Sequence, residues 1–386
     1  MGKEKRTRKD VCSKILNESY RRAAKRRTRT FIANPAIRNR TEMVALCLRN
    51  RAGVRALLAG LLAKLHKPSV DIRKPYTEIA GETGNDLYSG RLYDERFIQG
   101  LTEHPYSLPI NATTAFLTPG FRTKNITLKI DTQLEGRPAE MYSALLQTFD
   151  DVQANRVKPQ ALMDEVIRLL LVERDQRQSA IQKLVRDIRR TADRLPLSAE
   201  DIVALISQHL ACKNASRLPV LIVAAAYQAA SSRLGERVNP LYSHNAADKQ
   251  TGAAGDVEVT LIEEAGVITA YEMKMKAVTI ADINLAMEKF KGHGATIQHY
   301  IFITTERVPN EVMEYAAARY ADLGGVEIAV LDCIGFLRHF LHLFHRIRAD
   351  FLDAYQQLLL AEPESAVSHA LKEAFLVLRK AAEGSQ

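Results

Sequence analysis

The sequence predicts an α/β protein, of the α+β kind, in which a mixed sheet is flanked by helices and preceded by a largely helical region. Two observations lead to this prediction. Apolar residues recur at helical spacing through much of residues 41–212, whereas strand-like and helical stretches alternate towards the C-terminus. Alternation of this kind is typical of a mixed sheet covered by helices.

The domain organisation is predicted from length and composition. A chain of 386 residues exceeds the roughly 250 to 300 residues at which one hydrophobic core stops growing, so at least two subdomains are expected. We predict a basic tail over residues 1–40, a helical and polar segment over residues 41–212, and a mixed-sheet domain with C-terminal helices over residues 213–386.

The charge balance favours a partner with regular negative charge. Lys and Arg number 54 against 45 Asp and Glu, which gives a formal net charge of +9. Nucleic acid is the first candidate for such a partner. Much of the excess lies in the first thirty residues, however, where an ordinary solvated tail explains it equally well.

Between residues 43 and 211, two helical stretches lie on either side of an irregular one. Met43–Lys67 has apolar residues at helical spacing, Pro68–Lys124 is rich in Gly, Pro, Asn, Thr and Tyr, and Pro138–Ala211 is helical again. Ser198, with Asp201 three residues later, predicts a capping box at the start of a helix. Long irregular segments inside folded chains are more often functional than decorative, and we expect the whole segment over residues 41–212, which includes Pro68–Lys124, to take part in recognition or dimerisation.

The C-terminal elements begin with Leu218–Ser232, which is apolar on nearly every side and predicts a buried helix. The strands predicted after it are Asp256–Ile262, Val267–Lys276, His299–Thr304 and Val326–Leu331, with helices over Ile280–Lys291 and Pro309–Leu323 and further helices at the C-terminus.

Several classes of protein are disfavoured. The cysteines have no CxxC spacing, so neither a zinc ribbon nor a disulfide framework is expected; they are Cys12, Cys47, Cys212 and Cys333. No apolar run approaches the ~20 residues of a membrane span and the N-terminus is polar, so we expect a cytoplasmic protein without a membrane partner. No Gly-rich segment ends in Gly-Lys-Ser/Thr, so ATP is not expected as a partner.

A row of histidines also has an ordinary explanation. His339, His342 and His345 recur every three residues, and this spacing drifts around a helix. Because no carboxylate or cysteine completes a tetrahedral set beside them, we interpret them as packing residues of a helix rather than zinc ligands.

Two neighbouring strands carry the residues with the strongest chemical signal. In DVEVTLI and ITAYEMKMK, charged and apolar residues alternate, and Gly266 supplies a turn between the two strands. An antiparallel hairpin places Asp256 opposite or nearly opposite Glu272, with Lys274 on the same face. Gly255 permits close approach of the backbone just before Asp256.

Two carboxylates at such close range would repel each other unless a cation lay between them, and Mg²⁺ suits oxygen ligands. The ion would polarise a phosphodiester oxygen and acidify a bound water, while Lys274 would orient or deprotonate that water and offset charge on phosphorus. The alternative is chance, because Asp followed by Glu-x-Lys is a short pattern and exposed strand faces are usually charged.

The order of these elements resembles the PD-(D/E)xK nuclease core, in which a helix, a hairpin with the ligands, a helix and a further strand follow one another. More specifically, the chain resembles the SacI family of type II restriction endonucleases over roughly residues 71–291. The blocks that carry this resemblance are YSGRLYDERFI, LPINATTAFLTPGFR, SRLPVLIVAAAYQAA, HNAADKQTGAAGDVEV and YEMKMK.

The resemblance implies Mg²⁺-dependent cleavage of double-stranded DNA at a short palindrome by a homodimer, in a cell where a cognate DNA methyltransferase protects the host sites. It makes residues 213–386 the catalytic domain. The D position of the motif falls on Asp256, and the E and K positions fall on Glu272 and Lys274. Gly255 stands where the motif's name has proline, a position at which proline is often missing in such nucleases.

Further residues are weaker candidates. Glu236 is a candidate extra metal ligand or an ordinary helix-end charge, and Glu258 is a candidate ligand of a second ion or a partner of a lysine. His244 and Asn245 belong to a polar loop near the hairpin and are candidate contacts to a phosphate or a base, or ordinary loop residues. Basic and aromatic residues of the polar segment are candidate DNA contacts, namely Arg73, Lys74, Tyr76, Arg91, Arg96, Arg122 and Lys124.

Two other functions remain open at this point. A repair or junction-resolving nuclease of the same superfamily would recognise DNA shape instead of a palindrome. A DNA-binding protein without catalysis would hold phosphates with its basic residues, and its carboxylates would be mere surface charge.

Overall fold

The computed structural model describes residues 2–79, 84–111, 113–122, 124–189, 195–241, 253–293 and 297–384. The chain forms two compact units, Met1–Ala180 and Ile181–Gln386. The division falls within one helix and not near residue 212, where the sequence analysis placed it. Along the described stretches, no helix combines the length and the apolar character that crossing a membrane requires.

Helices dominate the first unit. They are α1 (Gly2–Lys25), α2 (Pro35–Ala45), α3 (Ala52–His66), α4 (Gly90–Tyr93), α5 (Ala139–Gln153) and the first part of α6 (Pro159–Arg189). Helix α3 lies at the centre, because its residues from Ala52 to Ala63 are all buried. The predicted helix over Met43–Lys67 is therefore two helices, α2 and α3, with a break between Ala45 and Ala52.

The N-terminal segment is packed rather than a free tail, at least from residue 11 onwards. Cys12, Leu16 and Ala23 of α1 are buried in the core of this unit. Arg22 donates from Nε to Asp164 Oδ2 of α6 over 2.7 Å. The basic residues of this segment therefore accompany an apolar helix face, which the charge pattern alone did not reveal.

The irregular segment between α3 and α5 is held by a buried ion pair. Arg55 and Asp94 are both fully buried, and Arg55 Nε donates to Asp94 Oδ1 over 2.7 Å. Asp94 also accepts from Thr114 Oγ1 at 2.6 Å and begins a π-helical turn, Asp94–Ile98. A buried charge without such partners would cost several kcal/mol, so this pair organises the segment around α3.

A mixed sheet, as predicted, forms the centre of the second unit. Among its described residues, five strands follow the order β1-β2-β3-β4-β5: β1 (Glu236–Val238), β2 (Val257–Leu261), β3 (Val267–Lys274), β4 (His299–Thr304) and β5 (Glu327–Asp332). The pairs β1–β2 and β2–β3 are antiparallel, whereas β3–β4 and β4–β5 are parallel.

Helices cover both faces of this sheet. They are α7 (Ala199–Leu210), α8 (Leu218–Leu234), α9 (Ile280–His293), α10 (Asn310–Ala317), α11 (Cys333–Leu343), α12 (Arg348–Ala361) and α13 (His369–Gly384). Val257, Val259 and Tyr271 share one core with α8, α11 and α12. Ala270, Tyr300 and Phe302 share the other with α9 and α10. The predicted charged face of the hairpin is thus largely covered.

Local signals identified some of these elements well. The capping box of α7 is present, since Ser198 accepts from Asp201 N and the Asp201 carboxylate accepts from Ser198 N. Helix α8 is buried over most of its length, as its sequence predicted, and ends at Gly235 with a positive φ of 70°. The four cysteines, all of them within the described residues, form no disulfide bond.

Candidate active site

Asp256 lies against strand β3 because the residue before it is glycine. Val257 pairs with Tyr271 across the antiparallel β2–β3 hairpin, so one step back Asp256 faces Glu272. A Cβ atom on Gly255 would lie 2.5 Å from the carbonyl oxygen of Tyr271, which is closer than any side chain allows. The Asp256 carboxylate is exposed and accepts a hydrogen bond at Oδ2 from Met273 N, over 2.7 Å.

Glu272 is oriented by groups on both sides. Its Oε2 accepts from the hydroxyl of Tyr300, a fully buried residue of β4, over 2.6 Å. Its Oε1 lies 3.1 Å from Lys274 Nζ, and its side chain is 18% exposed. This carboxylate is therefore fixed in direction and still accessible from outside.

Lys274 lies between two carboxylates. Its Nζ is 3.1 Å from Glu272 Oε1 and 3.3 Å from Asp282 Oδ1. Burial by itself lowers the pKa of Lys274, but the charges and hydrogen bonds of Glu272 and Asp282 outweigh it, and the pKa is raised above its ordinary value. The side chain is thus an ammonium ion at neutral pH, able to offset negative charge.

Asp282 and Tyr300 were not among the residues predicted for the site. Asp282 belongs to the first turn of α9, where it forms a reciprocal pair of hydrogen bonds with Thr279. Partial burial raises the pKa of Asp282, but the hydrogen bonds from Thr279 and the charge of Lys274 outweigh it, so the pKa is lowered overall. A capping-box pattern, Thr279 followed by Asp282, was available in the sequence, but it indicates only where a helix begins.

The two weaker candidates for metal ligands, Glu258 and Glu236, lie near opposite ends of strand β2. Glu258 is 7% exposed, and its Oε1 accepts from Ala254 N over 2.8 Å, so it supports the turn that leads to Asp256. Glu236 begins β1 and pairs with Leu261, at the end of β2 that is remote from Asp256. Leu261 is five positions after Asp256, which corresponds to about 16 Å along the strand at the usual rise. The structure does not bring Glu236 to Asp256 and Glu272.

Three of the predicted DNA contacts make internal contacts in the first unit. Arg73 forms ion pairs with Asp71 at 2.8 Å and Asp150 at 3.2 Å, and Lys74 pairs with Asp86 at 2.8 Å. Tyr76 is buried, and its hydroxyl donates a hydrogen bond to the carbonyl oxygen of Phe121 over 2.9 Å. Burial raises the pKa of the Tyr76 hydroxyl. Tyr76 is therefore a core residue of this unit.

Of the other candidates, three arginines are exposed, whereas Lys124 is half-buried. Arg91 is exposed and pairs with Glu95 over 2.7 Å, and Lys124 pairs with Glu135 over 2.8 Å. Arg96 and Arg122 are exposed at the surface of the same unit. His244 and Asn245 lie outside the described residues.

The donor set at the hairpin fits magnesium better than a transition metal. Within the described ranges, no cluster of three or more His, Cys, Asp or Glu side chains is arranged to hold a metal ion. His339, His342 and His345 are all exposed, so the interpretation of them as packing residues was wrong; His342 lies 3.0 Å from Glu200. Mg²⁺ is usually bound by one or two carboxylates together with waters and substrate phosphate oxygens, which matches Asp256 and Glu272. Structural zinc, by contrast, needs about four protein ligands.

Comparison with known proteins found no family model and no curated protein that matches this chain.

Proposed function

We propose that this chain is a Mg²⁺-dependent type II site-specific deoxyribonuclease, with Asp256, Glu272 and Lys274 as its catalytic residues. The observation that carries the proposal is the polar cluster at one edge of the β2–β3 hairpin. Two opposed carboxylates lie there beside a lysine ammonium, with one carboxylate accessible and the other fixed in direction. Hydrolysis of a phosphodiester needs such groups, because it gathers negative charge on phosphorus.

The order of elements around the cluster supports a PD-(D/E)xK core. Helix α8 precedes the antiparallel strands β1 to β3, helix α9 follows them, and β4 then lies parallel to β3. The D, E and K positions of the motif fall on Asp256, Glu272 and Lys274. Lys274 Nζ lies 3.1 Å from Glu272 Oε1, and the Asp256 carboxylate accepts from the backbone N of Met273, which lies between Glu272 and Lys274 in the chain. A chance Asp and Glu-x-Lys pattern would have no reason to converge in this way.

Each residue has a separate part in the proposed reaction. Asp256 and Glu272 would hold the ion, which when bound supplies an acidified water and polarises a phosphate oxygen. Tyr300 keeps the Glu272 carboxylate directed towards the site through its hydroxyl. Lys274, as an ammonium ion, offsets the charge that accumulates on phosphorus while water attacks and the bond to the leaving oxygen breaks.

The restriction activity rests on the resemblance and on charge. The chain's blocks similar to the SacI family imply a short palindromic site, a homodimer and a cognate methyltransferase that protects the host. The net charge of +9 and the exposed arginines of the first unit suit double-stranded DNA as the partner.

Mapping the cut ends tests this function directly. Unmethylated plasmid and phage DNA would be digested with the purified protein and Mg²⁺, and the ends of the fragments sequenced. We expect discrete fragments whose ends share one short palindrome. Cutting confined to branched or damaged DNA would favour a repair or junction-resolving nuclease, and salt-sensitive binding of intact DNA without cutting would favour a binding protein.

A further inference from the structure

Asp282 contacts two residues, Thr279 and Lys274, through different oxygen atoms. Its Oδ2 accepts from Thr279 N over 2.9 Å and from Thr279 Oγ1 over 2.6 Å, which closes the first turn of α9. Its Oδ1 points the other way and lies 3.3 Å from Lys274 Nζ. The side chain thus couples the start of a helix to the end of strand β3.

The fold makes this coupling rigid. Helix α9 packs on the sheet face that carries Ala270 and Tyr300, and Ile283, next to Asp282, is fully buried in the same core. The Asp282 side chain is 26% exposed and that of Lys274 is 30% exposed. Neither group is free to swing far, because one is tied to the cap of a packed helix and the other belongs to a paired strand.

Without Asp282, the ion pair with Glu272 would be the one that remains of the two ion pairs described for Lys274. A lysine ammonium is a compact charge on a flexible stem, so a small adjustment of the side chain would centre Nζ on the Glu272 carboxylate. An ammonium that forms an ion pair with Glu272 alone competes with a divalent cation for the same carboxylate oxygen atoms. Sharing the ammonium with a second carboxylate weakens this competition and keeps Nζ beside the place where a phosphate would bind.

We propose that Asp282 is a positioning residue, which shares the Lys274 ammonium with Glu272 and so leaves Glu272 able to bind the metal ion. The inference rests on the proposed nuclease function and adds a residue that the Asp and Glu-x-Lys pattern does not contain. Asp282 does not itself touch the metal ion or the DNA in this proposal. Its effect passes through Lys274 alone.

A double-mutant cycle measured by metal binding tests the coupling. Mn²⁺ would replace Mg²⁺ as the probe, and its dissociation constant would be measured by calorimetry in the wild type, Asp282→Asn, Lys274→Met and the double variant. Asparagine keeps an oxygen for the Thr279 cap and removes the charge that holds Lys274. We expect Asp282→Asn to weaken Mn²⁺ binding by about tenfold, a coupling typical of side chains in contact, and to have little effect when Lys274 is methionine.

Two further variants separate the cap from the ion pair. Thr279→Ala removes the capping partner but leaves the carboxylate beside Lys274, so it should lower thermal stability and leave Mn²⁺ binding unchanged. Asp282→Glu retains the charge and should restore most of the affinity. Cleavage rates in a single turnover, measured for all variants that retain Lys274, should follow the order of Mn²⁺ affinities.

The outcomes distinguish this inference from the function on which it rests. An equal loss of Mn²⁺ affinity from Asp282→Asn in both backgrounds, or the same loss from Thr279→Ala, would overturn the positioning role while the nuclease function stood. A wild-type protein that binds no Mn²⁺ and cuts no DNA would overturn the proposed function, and this inference with it.

Discussion

The absence of a side chain at Gly255 determines where the Asp256 carboxylate lies. Gly255 lets the chain before β2 approach the Tyr271 carbonyl so closely that any Cβ atom would clash with it at 2.5 Å. The obstacle is backbone within a paired strand, so it cannot rotate away as a flexible side chain would. The contact between Asp256 Oδ2 and Met273 N depends on this approach.

Gly255→Ala should therefore impair both folding and catalysis. Relief of the clash must move the start of β2 away from β3, which should lower the free energy of unfolding by about 1 to 3 kcal/mol, as overpacking does. Urea denaturation and the initial rate of DNA cleavage would measure the two effects. Gly384→Ala is the matched control, because a Cβ there meets nothing within 4 Å. Wild-type cleavage by Gly255→Ala would refute the role given to this glycine.

Residues on the two strands of one hairpin were the ones that the sequence could predict for the candidate site. Asp256, Glu272 and Lys274 lie on one hairpin, where strand alternation and a short turn determine which side chains share a face. Tyr300 reaches Glu272 only because β4 lies parallel to β3, and that pairing depends on the intervening helix. A tyrosine in an apolar strand gives no local sign of such a partner.

At the scale of elements, a buried histidine joins three helices of the second unit. His209 of α7 has Nε2 2.9 Å from the carbonyl oxygen of Leu371 in α13 and Nδ1 3.0 Å from the hydroxyl of Tyr355 in α12. Because a carbonyl only accepts, Nε2 carries the proton and donates it, and Nδ1 accepts from Tyr355. The neutral ring satisfies both contacts, and burial lowers the pKa of His209 to about 4.

The second unit should consequently lose stability in mild acid. The pKa of His209 is lower in the folded protein than the ~6.5 of an unfolded chain, so the unfolded state binds the proton first as pH falls. The His209 contribution is complete above pH ~6.5 and is lost progressively down to about pH 4, by up to roughly 3 kcal/mol. Urea denaturation of the wild type and His209→Gln at several pH values would measure this loss, which the variant should lack.

An NMR titration of the His209 ring in the wild type provides a check that needs no variant. We expect the ring to stay neutral throughout the range in which exposed histidines titrate. Protonation near pH 6.5 in the folded protein would contradict the assignment.

Elements with a clear local sequence pattern were predicted well, and elements that depend on contacts distant in the chain were not. Strand β4 was predicted with its observed bounds, His299–Thr304, because it is a short apolar run between polar residues. Strand β1 has only three residues, Glu236–Val238, and becomes a strand by pairing with β2. The predicted Met43–Lys67 helix continued across the break after Ala45, where apolar spacing gave no warning.

At the scale of the whole molecule, one helix connects two compact units. The early part of α6, including Leu162 and Leu170, is buried in the core of the first unit, and Ile188 near its end is buried in that of the second. The stretch between Leu170 and Ile188 contains no Gly or Pro, so no helix-breaking residue marks the division between the units. This is why the predicted boundary fell at residue 212 and the observed one falls after Ala180.

The net charge of +9 also has to be viewed across the whole chain. Several basic residues are engaged with carboxylates, among them Arg22 with Asp164 and Arg217 with Glu362. In the proposed function the remaining charge excess favours a polyanionic partner, and the chemistry is assigned to the small cluster at the hairpin.

The most direct test of that cluster is Mg²⁺-dependent cleavage of unmethylated plasmid DNA by the wild type, Asp256→Asn and Lys274→Met. Glu263→Gln, which changes an exposed carboxylate in the turn of the same hairpin, is the matched control. We expect the wild type and the control to cut with Mg²⁺ and not with EDTA, and the two site variants to be slower by at least about 10²-fold. Cutting that persists in EDTA, or at an equal rate in the site variants, would contradict the assignment of this active site.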